Sequence, residues 1–215
     1  MLAEHLLLPY IAASMVCIAS PGPDSLTVLS LGLARGRRDA MQFALGVGTG
    51  CLTHTLWAAL GVAALVAASE QLFTAIKLAG AAYLLWLGIS ALRSRGALAA
   101  GQLAGTSDAP PGRRGWQRFL NGFINNSLNP KVMLFFIAFL PQFVDPALGP
   151  VSQQMLQLGA GFALMTATSY VLLGAASGRV GELLRRRPGL ALALDRAVGV
   201  LFIGLAARLV LTQRA

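Results

Sequence analysis

Six long apolar runs, at about 5–33, 40–68, 71–92, 117–143, 151–178 and 190–212, are separated by short polar stretches. Residues 40–69 hold no Asp, Glu, Lys or Arg, and neither do residues 146–178. Both exceed the roughly 20 residues that a helix needs to cross a bilayer. None of the runs alternates with the period of two that marks a half-buried strand. Lipid offers the backbone no hydrogen-bond partners, so an open chain crosses it as helices. The pattern predicts an all-α integral membrane protein with six transmembrane helices.

Two of these runs are broken. The first contains SPGPDS at residues 20–25, and the fourth contains NNSLNPK at residues 125–131. Pro21, Pro23 and Pro130 lack the amide hydrogen of a regular helix and crowd the carbonyl one turn earlier. Each break carries a charge, Asp24 in the first and Lys131 in the second. Asp24 stands 11 residues before Arg35, about 16 Å at helical rise. Lys131 stands 13 residues after Arg118, about 20 Å on the same scale. In a hydrocarbon core about 30 Å thick, both fall near the middle.

A charge at that depth costs at least ~2.5 kcal/mol on insertion scales, and intramembrane charges mark function more often than decoration. The plainer alternative is two kinked helices stapled by an Asp24–Lys131 ion pair. Carbonyls freed by the prolines are expected to face a protein-lined, hydrated cavity. Such a cavity suits a small zwitterion, with helix N-termini and Lys131 beside its carboxylate and carbonyls and Asp24 beside its ammonium. The candidate translocation site comprises Ser20, Pro21, Gly22, Pro23, Asp24, Asn126, Asn129, Pro130 and Lys131, with Ser25 and Asn125 as further polar neighbours.

Composition agrees: of 215 residues, 56% are hydrophobic and 12% charged, about half the charge of a soluble domain. The net charge of +9 does not indicate nucleic acid, because the basic residues gather in short loops instead of along one exposed face. Arg35, Arg37 and Arg38 lie in the first loop, and Arg93, Arg95, Arg113, Arg114 and Arg118 in or beside the third. Arg179, Arg185, Arg186, Arg187 and Arg196 lie in or beside the fifth. This bias places loops one, three and five in the cytoplasm and both termini in the periplasm. The start, MLAEH, lacks the basic region of a cleavable signal.

The segment GALAAGQLAGTSDAPPGRRG reads as a flexible tether. It divides one transmembrane domain into three-helix halves, 1–94 and 117–215, joined by a cytoplasmic linker over 95–116. An odd number of spans per half inverts the second relative to the first, the arrangement of inverted-repeat transporters whose discontinuous helices form the site.

These residues carry a resemblance. SPGPDSL, IKLAGAAYLLWLGISALRS, GFINNSLNPKVMLFFIAFLPQFVDP and GVLFIGLAARLVL, in that order and spacing, make the chain resemble the LysE/RhtB family of amino-acid exporters, including its threonine, homoserine and leucine efflux branches. The resemblance implies a carrier of the bacterial inner membrane that exports amino acids or their derivatives, coupled to proton entry. Pro21, Gly22 and Pro23 match the family's first-span motif, and Asn129, Pro130 and Lys131 its fourth-span motif. The family often has a polar residue where Asp24 stands, not always an acid, so a proton-carrying Asp24 is read from this sequence alone.

His54, about midway along the second span, is a second proton-relay candidate, since imidazole titrates near neutral pH; the alternative is a hydrogen bond to a neighbouring helix. Gly46 and Gly50 in the second span, and Gly174 and Gly178 in the fifth, form small-xxx-small pairs expected at equivalent places in the two halves and read as helix packing. Trp57, Tyr83, Trp86 and Tyr170 are candidates for stacking on a substrate cation, against the plainer reading of packing or interfacial anchoring. No metal-ligand spacing, nucleophile elbow or Walker loop occurs, so neither an enzyme nor a cofactor is expected. Cys17 and Cys51 permit one alternative, a transmembrane thiol-redox conduit, although neither has a Cys-x-x-Cys partner. The expected partners are a zwitterionic amino acid, protons and the bilayer; a homodimer is left open.

Overall fold

The computed structural model describes residues 4–68, 70–94 and 115–211, so all but the end of the predicted linker lies outside the described residues. Among those residues the elements are all helical. The first half comprises α1 (Glu4–Ala19), α2 (Pro23–Arg35), α3 (Arg37–Ala68) and α4 (Glu70–Arg93). The second comprises α5 (Gly115–Ser127), α6 (Pro130–Leu134), α7 (Val151–Ala175), α8 (Ser177–Arg186) and α9 (Pro188–Leu211). Between α6 and α7 the chain continues through a π turn, Phe135–Phe139, and two 3₁₀ turns, Leu140–Phe143 and Pro146–Leu148.

Three helical stretches are long and apolar enough to cross a membrane: Arg37–Gly61, Val151–Ala175 and Gly189–Leu211. Two bent pairs raise the number to five. His5–Ala19 and Pro23–Arg35 meet at 54°, and Gly115–Ser127 and Pro130–Phe143 at 49°. Both breaks fall where the prolines predict them. In each, the helix restarts on a proline, Pro23 or Pro130, at the first helical position, where a missing N–H costs nothing. The remaining predicted span, 71–92, is helical as α4.

The fifth segment departs from its predicted extent. The charge-free run continues to residue 178, but α7 ends at Ala175 and a separate amphipathic helix, α8, begins at Ser177. Leu184 of α8 packs with Leu29 and Ala191 in a small apolar cluster of its own. The first residues of α8, Ser177 and Gly178, are small and uncharged, so the apolar run does not mark the turn at Ala176.

Helices of one half lie against helices of the other. α3 packs along α7 and α5, and α4 along α9. Small residues permit this closeness: a Cβ on Gly46 would strike the Phe119 carbonyl, and one on Gly122 the Phe43 carbonyl. Gly88 and Gly199 meet in the same way, each placing a would-be Cβ 2.8 Å from the other's carbonyl oxygen. Because backbone cannot yield as a side chain does, Gly122→Val is expected to cost about 3 kcal/mol of stability, the upper end for overpacking. A lowered melting temperature in detergent checks it. The control is Gly189→Ala, expected to leave the melting temperature unchanged, because Gly189 faces open space in ordinary backbone.

The pairing of glycines read from the sequence needs correction. Gly50 lies against Phe123 and Asn126, and Gly174 against Ala40 and Met41, but a Cβ at Gly178 would meet open space. Gly178 belongs to α8, and Gly174 lies at the far end of α7 whereas Gly46 lies in the first third of α3. The two pairs are therefore not equivalent; identical spacing arose without identical surroundings.

The three arginine-bearing connections share one face of the bundle. Arg118 on α5 bridges to Asp39 at the start of α3, Nε to Oδ2 3.0 Å. Arg37 and Arg179 line a common cavity, and Ser94 donates to Asp195 across α4 and α9. Arg118 is 2% exposed: it is a buried structural cation, not the solvated loop residue that its sequence context suggests.

Candidate functional site: two interlocked helix breaks

The two breaks meet inside the bundle, and each is held by side chains from the other half. The end of α1 comes first. A helix leaves its last carbonyls without N–H partners, and here Pro21 removes the donor that Cys17 O would have received. The Lys131 ammonium fills that place, donating to Cys17 O, Ser20 O and Ser20 Oγ, each at 3.1 Å. A cation at the negative end of a helix is favoured by the aligned peptide dipoles. Ile18 O has lost Gly22 N–H, which turns to Ser25 Oγ at 3.1 Å; the Tyr170 hydroxyl donates to Ile18 O at 3.0 Å instead. Gly22 makes room for this arrangement, since a Cβ there would sit 3.0 Å from Lys131 Nζ.

The start of α2 holds the opposite charge. Asp24 is 1% exposed, and its carboxylate accepts three amide donors, all from the second break. Asn125 Nδ2 reaches Oδ1 at 2.6 Å, while Asn126 Nδ2 and Asn129 Nδ2 reach Oδ2 at 2.9 and 2.8 Å. Asn129 has a second task as the cap of α6, where its Oδ1 accepts the Lys131 N–H at 3.0 Å. That bond fixes which way the Asn129 amide faces and aims its NH₂ at Asp24.

The bland expectation of a direct Asp24–Lys131 ion pair therefore fails. Among the described residues no contact joins the two groups: the anion is bound by amides and the cation by carbonyls and a hydroxyl. Both are buried, and both are satisfied by hydrogen bonds, which is the condition for keeping ions out of water. An open groove of about 450 Å³ lies beside the junction, lined by Pro23, Phe43, Ile124, Asn125, Leu128 and Pro130 among others.

All nine residues singled out for translocation thus lie in the two breaks, and the fold brings those breaks together. His54 joins them: its Nε2 is 2.8 Å from Asn126 O. Of the aromatic candidates, Tyr170 reaches the site but uses its hydroxyl on Ile18 O. Trp57 is 74% exposed on the outer surface, and Tyr83 stacks on Trp86, ring centroids 5.5 Å apart. Sequence reasoning does not find the Arg118–Asp39 bridge or the hydroxyl role of Tyr170. The first carried a signal, an Arg and an Asp each at the start of an apolar run; the second carried none. No cluster of metal-ligating side chains occurs among the described residues.

The family model of the LysE type translocators matches residues 15–213, which include both breaks and all of their partners. The chain belongs to that family. The leucine efflux protein of Enterobacter sp. (strain 638) is 31% identical to this chain over 202 residues, 93% of this chain and 92% of the relative. The homoserine/homoserine lactone efflux protein of Salmonella typhimurium is 30% identical over 208 residues, 96% of each. An uncharacterized membrane protein of Pseudomonas aeruginosa is 35% identical over 205 residues, 93% of this chain and 92% of the relative. No solved structure matches this chain. Members of the family are translocators and efflux proteins, not enzymes.

Proposed function

We propose that this chain is a secondary transporter that exports amino acids or close derivatives across the bacterial inner membrane in exchange for protons. The observation that carries this reading is the reciprocal grip of the breaks, in which a buried anion and a buried cation are each bound by the other half. Efflux of leucine, homoserine and threonine by named relatives points to the same class of cargo. Six crossings in two inverted halves, 1–94 and 117–215 with a linker at 95–116, account for the way counterpart helices pair: break on break, α3 on α7 and α4 on α9. The arginine-bearing face is cytoplasmic and the termini periplasmic on the positive-inside rule.

In the mechanism, the halves rock about the junction. Cargo bound there offers a carboxylate to Lys131 and an ammonium to Asp24 and the α1 carbonyls, replacing the internal hydrogen bonds of the resting site. Asp24 takes a proton from the outer side, where protons are more abundant, and releases it inside as cargo leaves. The decisive test is efflux from cells loaded with a panel of radiolabelled amino acids, followed by reconstituted vesicles with an imposed pH gradient. Gradient-dependent efflux of at least one amino acid is expected, and none across the panel would sink the reading.

The thiol-redox alternative is tested on the same vesicles. Cys17 and Cys51 are both free and buried, Cys17 beside the first break and Cys51 on α3. Replacing both with Ser is expected to leave export within about twofold of the parent, since inert buried thiols contribute packing and not chemistry. Loss of transport with retained folding would favour the conduit.

A further inference from the structure

The same omission recurs at the second break. Pro130 has no N–H for Asn126 O, the carbonyl one turn before it. Asn129 N–H supplies one bond to that oxygen, at 2.8 Å. His54 supplies the other, also at 2.8 Å. A carbonyl only accepts, so the hydrogen lies on His54 Nε2. The imidazole is buried, lies near the Phe136 ring, and holds the residue whose side-chain amide binds Asp24.

Tyr170 does the corresponding work at the first break, where its hydroxyl holds Ile18 O. The symmetry extends to position. His54 is the eighteenth residue of α3 and Tyr170 the twentieth of α7. These are the second spans of their respective halves, and each reaches into the break of the opposite half.

We infer that His54 and Tyr170 are a matched pair of positioning residues, each donating to a carbonyl that the other half's break has freed. His54 on this view is a fixed donor to Asn126 O and not a proton relay. Its hydrogen-bonding Nε2–H keeps the Asn126 peptide, and through it the amide on Asp24, in register. Tyr170 keeps the turn before Gly22 in register for Lys131. The inference rests on the breaks forming the transport site, but its geometric part can be read without transport.

His54→Gln and His54→Asn separate the roles. Neither replacement titrates. The Gln amide places an N–H close to where Nε2–H stands, whereas Asn is too short to reach Asn126 O. Amide-hydrogen exchange of residues 126–133 is expected to match the parent in H54Q. In H54N it is expected to quicken roughly tenfold, the scale of one lost buried hydrogen bond. Tyr170→Phe is expected to quicken exchange over 16–25 in the same way. Vesicle efflux of radiolabelled leucine and threonine, if the parent carries either, should follow: near-parental rate and pH profile in H54Q, a roughly tenfold fall in H54N.

Accumulation of folded H54Q but not H54N supports the donor role equally. Loss of gradient-driven efflux in both His54 variants, with exchange unaltered, makes His54 a relay and overturns the inference. Parental exchange in H54N and Y170F overturns it as well. An absence of amino-acid efflux by the parent itself would count against the transport reading, while the exchange data still decide the positioning.

Discussion

Asp24→Asn is expected to abolish proton-driven export while leaving a folded protein. The substitution keeps size and shape but turns one of two acceptor oxygens into a donor. If the new amide NH₂ takes the place of Oδ2, it faces the Asn126 and Asn129 NH₂ groups, now 2.9 and 2.8 Å from that atom. Asn129 cannot turn its oxygen inward without surrendering the Lys131 N–H that it caps. Turning the substituted amide over sets its NH₂ against Asn125, whose side chain makes no other hydrogen bond among the described residues and can turn its own oxygen inward to accept. The site then keeps three hydrogen bonds, which is why a folded protein is expected. Loss of the titrating group removes gradient coupling altogether. Vesicle efflux with and without an imposed pH gradient measures this loss. Intact gradient-driven export by D24N would remove Asp24 as the proton carrier, and unchanged exchange of labelled for unlabelled amino acid would confine its role to coupling.

Lys131→Met is expected to be the more damaging change for stability. Met reproduces most of the length of the side chain without its donors. Cys17 O then has no partner, because Pro21 denies it the helical one, and Ser20 loses two bonds. Each buried hydrogen bond from the charged donor is worth about 1.5–3 kcal/mol, and three are lost. A large drop in melting temperature in detergent, together with loss of efflux, is the expected outcome. Arg is not expected to rescue: a planar fork is broader than an ammonium, and the space above Gly22 is fitted to Nζ. A stable, exporting K131M protein would show that the end of α1 does not depend on the cross-half bond.

Much of this arrangement is legible in the residues, and the reason is chemical. Proline cannot donate, so the positions of Pro21 and Pro130 alone identify Cys17 O and Asn126 O as carbonyls in need of partners. The apolar runs identify the spans for an equally general reason, the cost of polar groups in lipid. Among the readings that fail against the structure are Gly178 as a packing residue, the equivalence of the two glycine pairs, and the alternative of a direct Asp24–Lys131 ion pair. Each asks the sequence about surroundings. Spacing of four residues is the same on a helix face that meets a backbone, as at Gly46, and on one that meets nothing, as at Gly178.

The amino-acid sequence by itself determined that the chain spans a membrane as helices, that two of them break at proline, and that a charge sits in each break. Those properties follow from transfer free energies and from the donor that proline lacks, which depend on the residue and its immediate neighbours. Only the tertiary structure decided that the anion goes to three asparagine amides and the cation to the end of α1, and that His54 and Tyr170 supply the missing donors. Those choices join atoms more than 70 residues apart, and hydrogen bonding is too short-ranged and directional for anything but the packed positions of the helices to select among the available partners.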